Sequence, residues 1–360
     1  MSRGADRGRE WRMPFQYEGL PGTVWFGRGE RWRAGEALER LEVRRAMVLS
    51  GPRQAGLAGE IANGLPDAAL YAGAAMHTPV AVTRDCLEAV TAAAADGILS
   101  IGGGSAIGLG KAVAVRTGLP HLVVPTTFAG SEMTPILGET EGGIKTTRRS
   151  PAILPAMVIY DPDLLASLPP AVAGPSAMNA MAHAVEALYA EAANPLISLL
   201  AEESIRAMGQ ALPGFLQDAG ATALWEEGFY AAWLAGICLG SVGMALHHKL
   251  CHTLGGAFGL PHADLHCLIL PYAAAYNREA APGAMARIAQ ALGVADAPAG
   301  LYALMQRATT RRSLKAFGLS EADLDTAAEM AVQSPYYNPR PVTREGVRAM
   351  LQVAYEGGAP

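Results

Sequence analysis

From about Tyr17 to Asp161 the chain alternates short apolar runs with helical stretches. Residues 23–27, 46–50, 68–71, 97–101, 121–124 and 157–160 each read as a strand, most of them closed by glycine, proline or aspartate. Residues 86–95 and 105–116 read as helices between them. Continuous apolar strands separated by helices predict a mainly parallel sheet covered on both faces. Such sheets bind ligands beyond the carboxyl ends of their strands. After Asp163 helical periods take over: residues 177–192, 196–212, 224–252, 285–292, 300–307, 321–333 and 344–356. Pro213-Gly214, Pro282-Gly283 and Asn338-Pro339 punctuate them. The pattern predicts an α/β domain over residues 17–162 and an all-α domain over 163–360.

At 360 residues, 51% hydrophobic and 17% charged, the composition is that of a globular protein with room for two domains. The net charge is −5 and no basic tract is present, which argues against nucleic acid or an anionic membrane as partner. Arg3, Arg7, Arg9 and Arg12 lie in a stretch without an apolar core of signal-peptide length, so residues 1–16 are expected to be a flexible leader. No apolar run reaches the roughly 18–20 residues of a membrane span. The four cysteines, Cys86, Cys238, Cys251 and Cys267, form no CxxC pair, which fits buried thiols in a reducing cytoplasm.

Two stretches at strand ends carry cofactor-binding chemistry. Ile101-Gly102-Gly103-Gly104-Ser105 is a strand end, a glycine loop and a helix start. Glycines let the backbone approach a phosphate, Ser105 is expected to cap the helix, and the free N–H groups with the helix dipole attract an anion. Lys111, about two turns further on, need not touch phosphate. Thr126, Thr127 and Ser131 follow the next strand and would hold the polar part of a cofactor or cap a helix. At the end of the second strand, Ser50-Gly51-Pro52-Arg53 lacks the acid that would bind a ribose 2′-hydroxyl. Arg53 would meet a 2′-phosphate there, so NADPH is expected to be accepted alongside NADH; an ordinary surface arginine is the other reading.

Five of the eight histidines fall between His247 and His266. His248 and His252 are four residues apart, one turn on one helix face, and His262 follows a glycine- and proline-marked break. Asn179 and His183 repeat the spacing upstream. Imidazole is both the common transition-metal ligand and the side chain that titrates near neutrality, so these residues together point to one shared site.

Gly102-Gly103-Gly104-Ser105, Pro125-Thr126-Thr127 with Gly130-Ser131-Glu132, the Asn179/His183 pair and His248, His252 and His262 together resemble the iron-containing (group III) alcohol dehydrogenase family. The wording of residues 125–147, 178–190 and 243–256 is similar to the maleylacetate reductase branch of that family. The resemblance covers nearly the whole chain. It implies the dehydroquinate synthase-like fold, with a dinucleotide-binding parallel-sheet domain, a helical domain and an active site in the cleft. The family's metal ligands, one aspartate and three histidines, fall at Asn179, His183, His248 and His262, and its further active-site histidine at His252. Asn179 replaces the aspartate, and a neutral amide is a poor ligand for a divalent transition metal. Gly108 stands where the dehydrogenases have an acid. Both departures fit the reductase branch, for which no metal is strictly required.

The resemblance implies reduction of the conjugated double bond of maleylacetate to 3-oxoadipate with NADH or NADPH, in aromatic-compound catabolism. His252 and His248 are the expected catalytic residues. Asn179, His183, His262 and Lys249 are expected to bind substrate, and Gly51, Arg53, Gly102, Gly103, Gly104, Ser105, Thr126, Thr127 and Ser131 to bind cofactor. Lys145 and Arg148 would hold a carboxylate or phosphate, or belong to a solvated loop. A cytoplasmic homodimer with a small dicarboxylate substrate is expected. The alternative is a metal-dependent alcohol dehydrogenase or lactaldehyde reductase of the same family.

Overall fold

The computed structural model describes residues 15, 17–20, 22–333 and 336–360. The expected leader, with Arg3, Arg7, Arg9 and Arg12, lies outside the described residues apart from Phe15. Two compact units form, Gly19–Leu168 and, after it, Pro169–Pro360. The division expected after residue 162 falls six residues later, because the 3-10 turn Pro162–Leu164 packs with the strands: Asp161 accepts from Gly29 N and Arg31 N, each at 3.1 Å.

In the first unit, strands β1 (Thr23–Phe26), β2 (Ala46–Ser50), β3 (Ala69–Tyr71), β4 (Gly97–Gly102) and β5 (His121–Pro125) precede a hairpin, β6 (Ile136–Glu141) and β7 (Ile144–Arg149), and β8 (Met157–Tyr160) follows it. Helices α1 (Ala34–Arg40), α2 (Ala55–Asn63), α3 (Val80–Ala92) and α4 (Gly104–Thr117) lie between the strands. The sheet order is β1-β8-β5-β4-β2-β3, and every pair in it is parallel. Side chains alternate between faces along β2. Val48 packs with Ala37, Leu38 and Ile61 on one side, and Met47 and Leu49 pack with Cys86, Val90 and Leu109 on the other. Both faces are thus buried, which is why the strands read as unbroken apolar runs. From β2 the chain moves outward to β3 and then returns to the other side of β2 as β4, so the carboxyl ends of β2 and β4 flank the switch point of the topology.

The hairpin β6–β7 was not among the expected strands. Its turn is Gly142-Gly143, both at positive φ (57° and 80°), a two-residue hairpin turn. Only β6 reaches the core, through Leu137 against Ala112, while all of β7 is exposed. No apolar alternation therefore marks it in the sequence.

The second unit is helical: α5 (Pro170–Ala187), α6 (Pro195–Gln217), α7 (Thr222–Ser241), α8 (Leu246–Phe258), α9 (His262–Asn277), α10 (Pro282–Leu292), α11 (Ala297–Ala308), α12 (Glu321–Val332) and α13 (Arg344–Glu356). Helix α5 is buried without interruption from Ala173 to Ala187, so it is the central rod on which the others pack. Its small residues allow close approach: a Cβ on Gly174 would lie 2.2 Å from the carbonyl oxygen of Ala308. Three expectations are corrected here. The single helix expected over residues 224–252 is two, α7 and α8, bent by 92°. Pro213-Gly214 does not end α6; Gly214 is a notch for Leu224, whose Cδ1 would be 2.2 Å from a Cβ there. Residues 262–277 form a helix that the periodicity left out. Among the described residues no single helix is long and apolar enough to cross a membrane.

Candidate active site

In the α/β unit, β4 ends at Gly102, whose φ of 148° only glycine adopts readily. Gly103 is the N-cap of α4, and no side chain caps it. The expected cap by Ser105 is thereby corrected: Ser105 lies in the first turn, one residue past the helix start. The first-turn N–H groups of α4 have no carbonyl partners within the helix, and the helix dipole adds to their attraction for an anion. Thr126 N donates to Gly102 O at 3.1 Å, which sets the threonine loop beside the glycine loop. A Cβ on Gly103 would lie 2.9 Å from Thr127 Cγ2, whereas Gly104 faces open space. Thr126 Oγ1 is buried without a partner. This uncapped helix start, glycine cradle and unused hydroxyl fit the phosphates of a dinucleotide. Gly51 closes β2 at the neighbouring strand end, and Arg53 is exposed just beyond it.

Lys111 has a different part. Lys111 is fully buried on α4, and its ammonium donates to Thr134 O (2.8 Å), Thr134 Oγ1 (2.9 Å), Ile136 O (3.0 Å) and the carbonyl of Ser131. It therefore pins the chain that follows the threonine loop and is screened from any phosphate. Burial lowers its pKa to about 7, opposed by the nearby Glu132. Burial raises that of Glu132, which accepts from Tyr160 OH at 2.8 Å. Lys145 and Arg148 lie on exposed β7, where Arg148 pairs with Glu139 at 3.1 Å. Gly108 faces Thr78: a Cβ there would lie 2.3 Å from Thr78 Oγ1, so the local packing has no room for the acid found in the dehydrogenases.

In the helical unit three helices bring six imidazoles together. Asn179 and His183 lie on α5, His247, His248 and His252 on α8, and His262 and His266 on α9. Ring centroids are 5.0 Å apart for His183–His248, 5.8 Å for His252–His262 and 4.2 Å for His262–His266. His183, His247, His248 and His266 are buried, and His252 and His262 are exposed. The expected set Asn179, His183, His248, His252 and His262 thus shares one region. Lys249, next to His248 on α8, has its ammonium over the Tyr336 ring, 5.6 Å from the centroid. Cys251 is fully buried, with its pKa raised by burial, as expected of a packed thiol.

Two residues that the sequence reading passed over organise this cluster. Glu186 is fully buried on α5 and accepts from Ala245 N (3.0 Å), His247 N (2.8 Å) and His248 Nδ1 (2.6 Å). The N-cap of α8 is Ala245, whose methyl accepts nothing, so Glu186 supplies the cap from another helix. A carboxylate only accepts, so Nδ1 of His248 donates to Glu186, while its Nε2 is buried without a partner. His266 is the hub: its ring lies within 6.5 Å of those of His183, His247, His248, His252 and His262. Both residues have sequence signals. Glu186 continues the face of Asn179 and His183 at i+7, and His262/His266 is a third i,i+4 pair once Pro261 starts a helix. Burial holds the pKa values of His183, His247 and His266 well below 6.5.

The family's metal positions carry one amide and three imidazoles. Asn179 offers an amide, and among the described residues the histidine and cysteine triples whose ligand atoms lie within 4.8 Å of one another are His252/His262/His266 and His247/Cys251/His266. The triple His183/His248/His262 is not among them. Oδ1 of Asn179, Nδ1 of His183 and Nε2 of His248 are each buried without a partner, so these positions present bare donor atoms with a neutral amide where the family has a carboxylate.

The family model for iron-containing alcohol dehydrogenase matches residues 21–162, and that for the C-terminal part of the Fe-containing alcohol dehydrogenase family matches residues 174–355. A maleylacetate reductase of Rhizobium sp. (strain MTP-10005) is 50% identical over 350 residues, 97% of this chain and 99% of that protein. Maleylacetate reductase 1 of Rhodococcus opacus is 46% identical over 348 residues, 96% of this chain and 98% of that protein. The crystal structure of maleylacetate reductase from Agrobacterium tumefaciens superposes with a TM-score of 0.94 at 48% identity, over 97% of this chain and 100% of that one. With both halves matched by the family models and near-complete relatives at this identity, the chain belongs to the iron-containing alcohol dehydrogenase family, in its maleylacetate reductase branch.

Proposed function

We propose that this chain reduces the carbon–carbon double bond of maleylacetate to give 3-oxoadipate, using NADH or NADPH, in the breakdown of aromatic compounds. The observation that carries this reading is the cluster of six imidazoles with a neutral amide, Asn179, at the family's aspartate position. The substrate has two carboxylates and a double bond conjugated to a ketone. A site for it must accept two negative charges, stabilise the enolate that forms when the carbon β to the ketone is reduced, and protonate the α carbon. Removing an acid from the pocket favours the dianion.

The glycine and threonine loops at Gly102–Gly104 and Thr126–Thr127 would hold the cofactor, with Gly51 and Arg53 at the neighbouring strand end. Reduced nicotinamide, when bound, supplies a hydride. Arg53 has the charge to meet a 2′-phosphate, which supports use of NADPH beside NADH. His252 is exposed and exchanges protons with water, so it is assigned the proton delivered to the α carbon. His248 has its Nδ1 proton committed to Glu186, so Nε2 is the nitrogen left to meet the substrate. Its part is to orient substrate through that nitrogen. His262, His183 and Asn179 line the same pocket. A homodimer in a reducing cytoplasm, with no nucleic-acid or membrane partner, belongs to the same reading; the four cysteines, all free and buried, support it.

A second reading has one observation in its favour. A histidine whose Nδ1 is held by a carboxylate and whose Nε2 is bare is arranged as metal-ligating histidines are. It would make the chain a metal-dependent alcohol dehydrogenase or lactaldehyde reductase. The deciding experiment follows oxidation of NADH and NADPH with maleylacetate before and after exhaustive chelation. Activity that survives chelation supports the reductase acting through its own imidazoles. Activity lost and restored by a divalent ion favours the second reading, and no oxidation at all overturns the first.

A further inference from the structure

We infer that Lys249 and Tyr336 hold one carboxylate of the substrate, the one beyond the ketone, and so select a dianion. The assignment rests on the reading of the chain as a reductase of maleylacetate. Lys249 lies on α8 beside His248 and three residues before His252, so one helix turn carries both the ammonium and the ring assigned the proton. It is partly buried, and among the described residues no carboxylate pairs with it. Its neighbour is the Tyr336 ring, with the ammonium 5.6 Å from the centroid. The phenol oxygen of Tyr336 is buried and has no hydrogen-bond partner. A cation without an anion and a donor without an acceptor stand side by side, and a carboxylate answers both.

Tyr336 is held there from another part of the chain. It lies between α12 and α13, two residues before Asn338. Asn338 and Asn277, the last residue of α9, exchange amide hydrogen bonds: Nδ2 of Asn338 donates to Oδ1 of Asn277 at 2.7 Å, and Nδ2 of Asn277 to Oδ1 of Asn338 at 3.0 Å. The Arg340 guanidinium lies over the Tyr276 ring, 4.3 Å from its centroid, and Tyr276 OH donates to Pro341 O at 2.8 Å. Oδ1 of Asn338 also accepts from Leu246 N at 3.4 Å, at the start of α8. The segment that carries Tyr336 is thus fastened to both α8 and α9. Burial and the charge of Glu186 push the Tyr336 pKa up, so the phenol keeps its proton and acts as a donor. The Glu186 oxygens are already engaged by three N–H groups, which leaves the phenol to another acceptor.

The two carboxylates of the substrate differ in place. One is bonded to the carbon that receives the hydride. The other lies beyond the ketone, three bonds from the α carbon that takes the proton. With that proton assigned to His252, the second carboxylate falls within a helix turn of it, where Lys249 stands. The lysine brings the charge and the phenol a directed hydrogen bond. A substrate that ends in a methyl ketone engages neither, and a site built to bind a polar group rejects the analogue that lacks it.

The test compares initial rates of the full chain on maleylacetate and on 4-oxopent-2-enoate, which keeps the conjugated double bond and its carboxylate but ends in a methyl ketone. Lys249→Met is expected to raise KM for maleylacetate at least about tenfold, and Lys249→Arg to recover most of that loss. Tyr336→Phe keeps the ring, so KM for maleylacetate should rise about five- to tenfold. Its thermal midpoint should be no lower than that of the wild type, because the hydroxyl removed has no partner in the free protein. Lys249→Met and Tyr336→Phe should both leave kcat/KM for 4-oxopent-2-enoate unchanged. Equal losses on the two compounds, or an unchanged KM for maleylacetate in both variants, overturn the inference. If the wild type reduces neither compound, the reading as a reductase fails, and calorimetry with 3-oxoadipate judges the pair. Binding weakened in Lys249→Met then upholds the anion site, and equal or absent binding overturns it.

Discussion

Oε2 of Glu186 lies 2.6 Å from Nδ1 of His248, and the same carboxylate closes the open start of α8 through the N–H groups of Ala245 and His247. One buried side chain thus fixes where α8 begins and which nitrogen of His248 is bare. Glu186→Gln keeps the shape but turns one acceptor into a donor that faces N–H groups. We expect a stability loss of about 2–4 kcal/mol in urea unfolding and a roughly 10–100-fold drop in kcat. A variant with unchanged midpoint and unchanged kcat would remove both roles.

His252 is exposed, so its removal reports on chemistry more than on folding. His252→Ala should lower kcat with maleylacetate about 10²–10⁴-fold with a nearly unchanged thermal midpoint. Near-normal turnover by a well-folded variant would end its assignment as proton donor.

Asn179→Asp restores the charge that the reductase branch lacks. At about 1 kcal/mol for a partly screened charge pair, KM for maleylacetate should rise about fivefold while KM for the cofactor stays put. An unchanged KM for the dianion would count against the electrostatic argument.

Acid should unfold this protein through its buried histidines. Burial lowers the pKa of His121 to about 3, and holds His183, His247 and His266 well below 6.5. As the pH falls below 6.5 the unfolded chain takes up protons that the folded chain refuses, so stability is full above 6.5 and declines below it. Each such group contributes a slope of about 1.4 kcal/mol per pH unit until its folded pKa is reached. Unfolding midpoints between pH 7 and 4 should show a slope of several groups, shallower by about one group in His121→Asn. A flat profile over that range would contradict neutral burial.

Gly103 is tied to the proposed phosphate site by space. Gly103→Ala sets a methyl 2.9 Å from Thr127 Cγ2, pushes the two loops apart and narrows the cradle. We expect KM for NADH and NADPH to rise more than tenfold with a stability cost of about 1–3 kcal/mol. Unchanged cofactor KM values in a stable variant would move the cofactor's phosphates away from this loop.

Much of the architecture was legible because burial writes a pattern. Ala46–Ser50 and Met157–Tyr160 were expected at the bounds they have, since a strand buried on both faces needs an apolar side chain at every position. The hairpin β6–β7 was illegible for the converse reason, because β7 faces away from the core along its whole length. The break between α7 and α8 could not be read from local residues either. Residues 242–245 contain no proline, and the restart of the helix at Leu246 depends on a carboxylate 59 residues upstream of Ala245.

The histidine site divides along the same line. Helical spacing made Asn179/His183 and His248/His252 pairs on one face each, and the glycine loop announced itself as a strand end followed by a helix. Those features are local, and the sequence by itself determined them. That α5, α8 and α9 bring their faces together, that Glu186 sits behind His248, and that His266 stands among five other imidazoles are properties of helix packing. Contacts between residues far apart in sequence carry no periodic signature, so only the tertiary structure decided which nitrogens are held and which are bare.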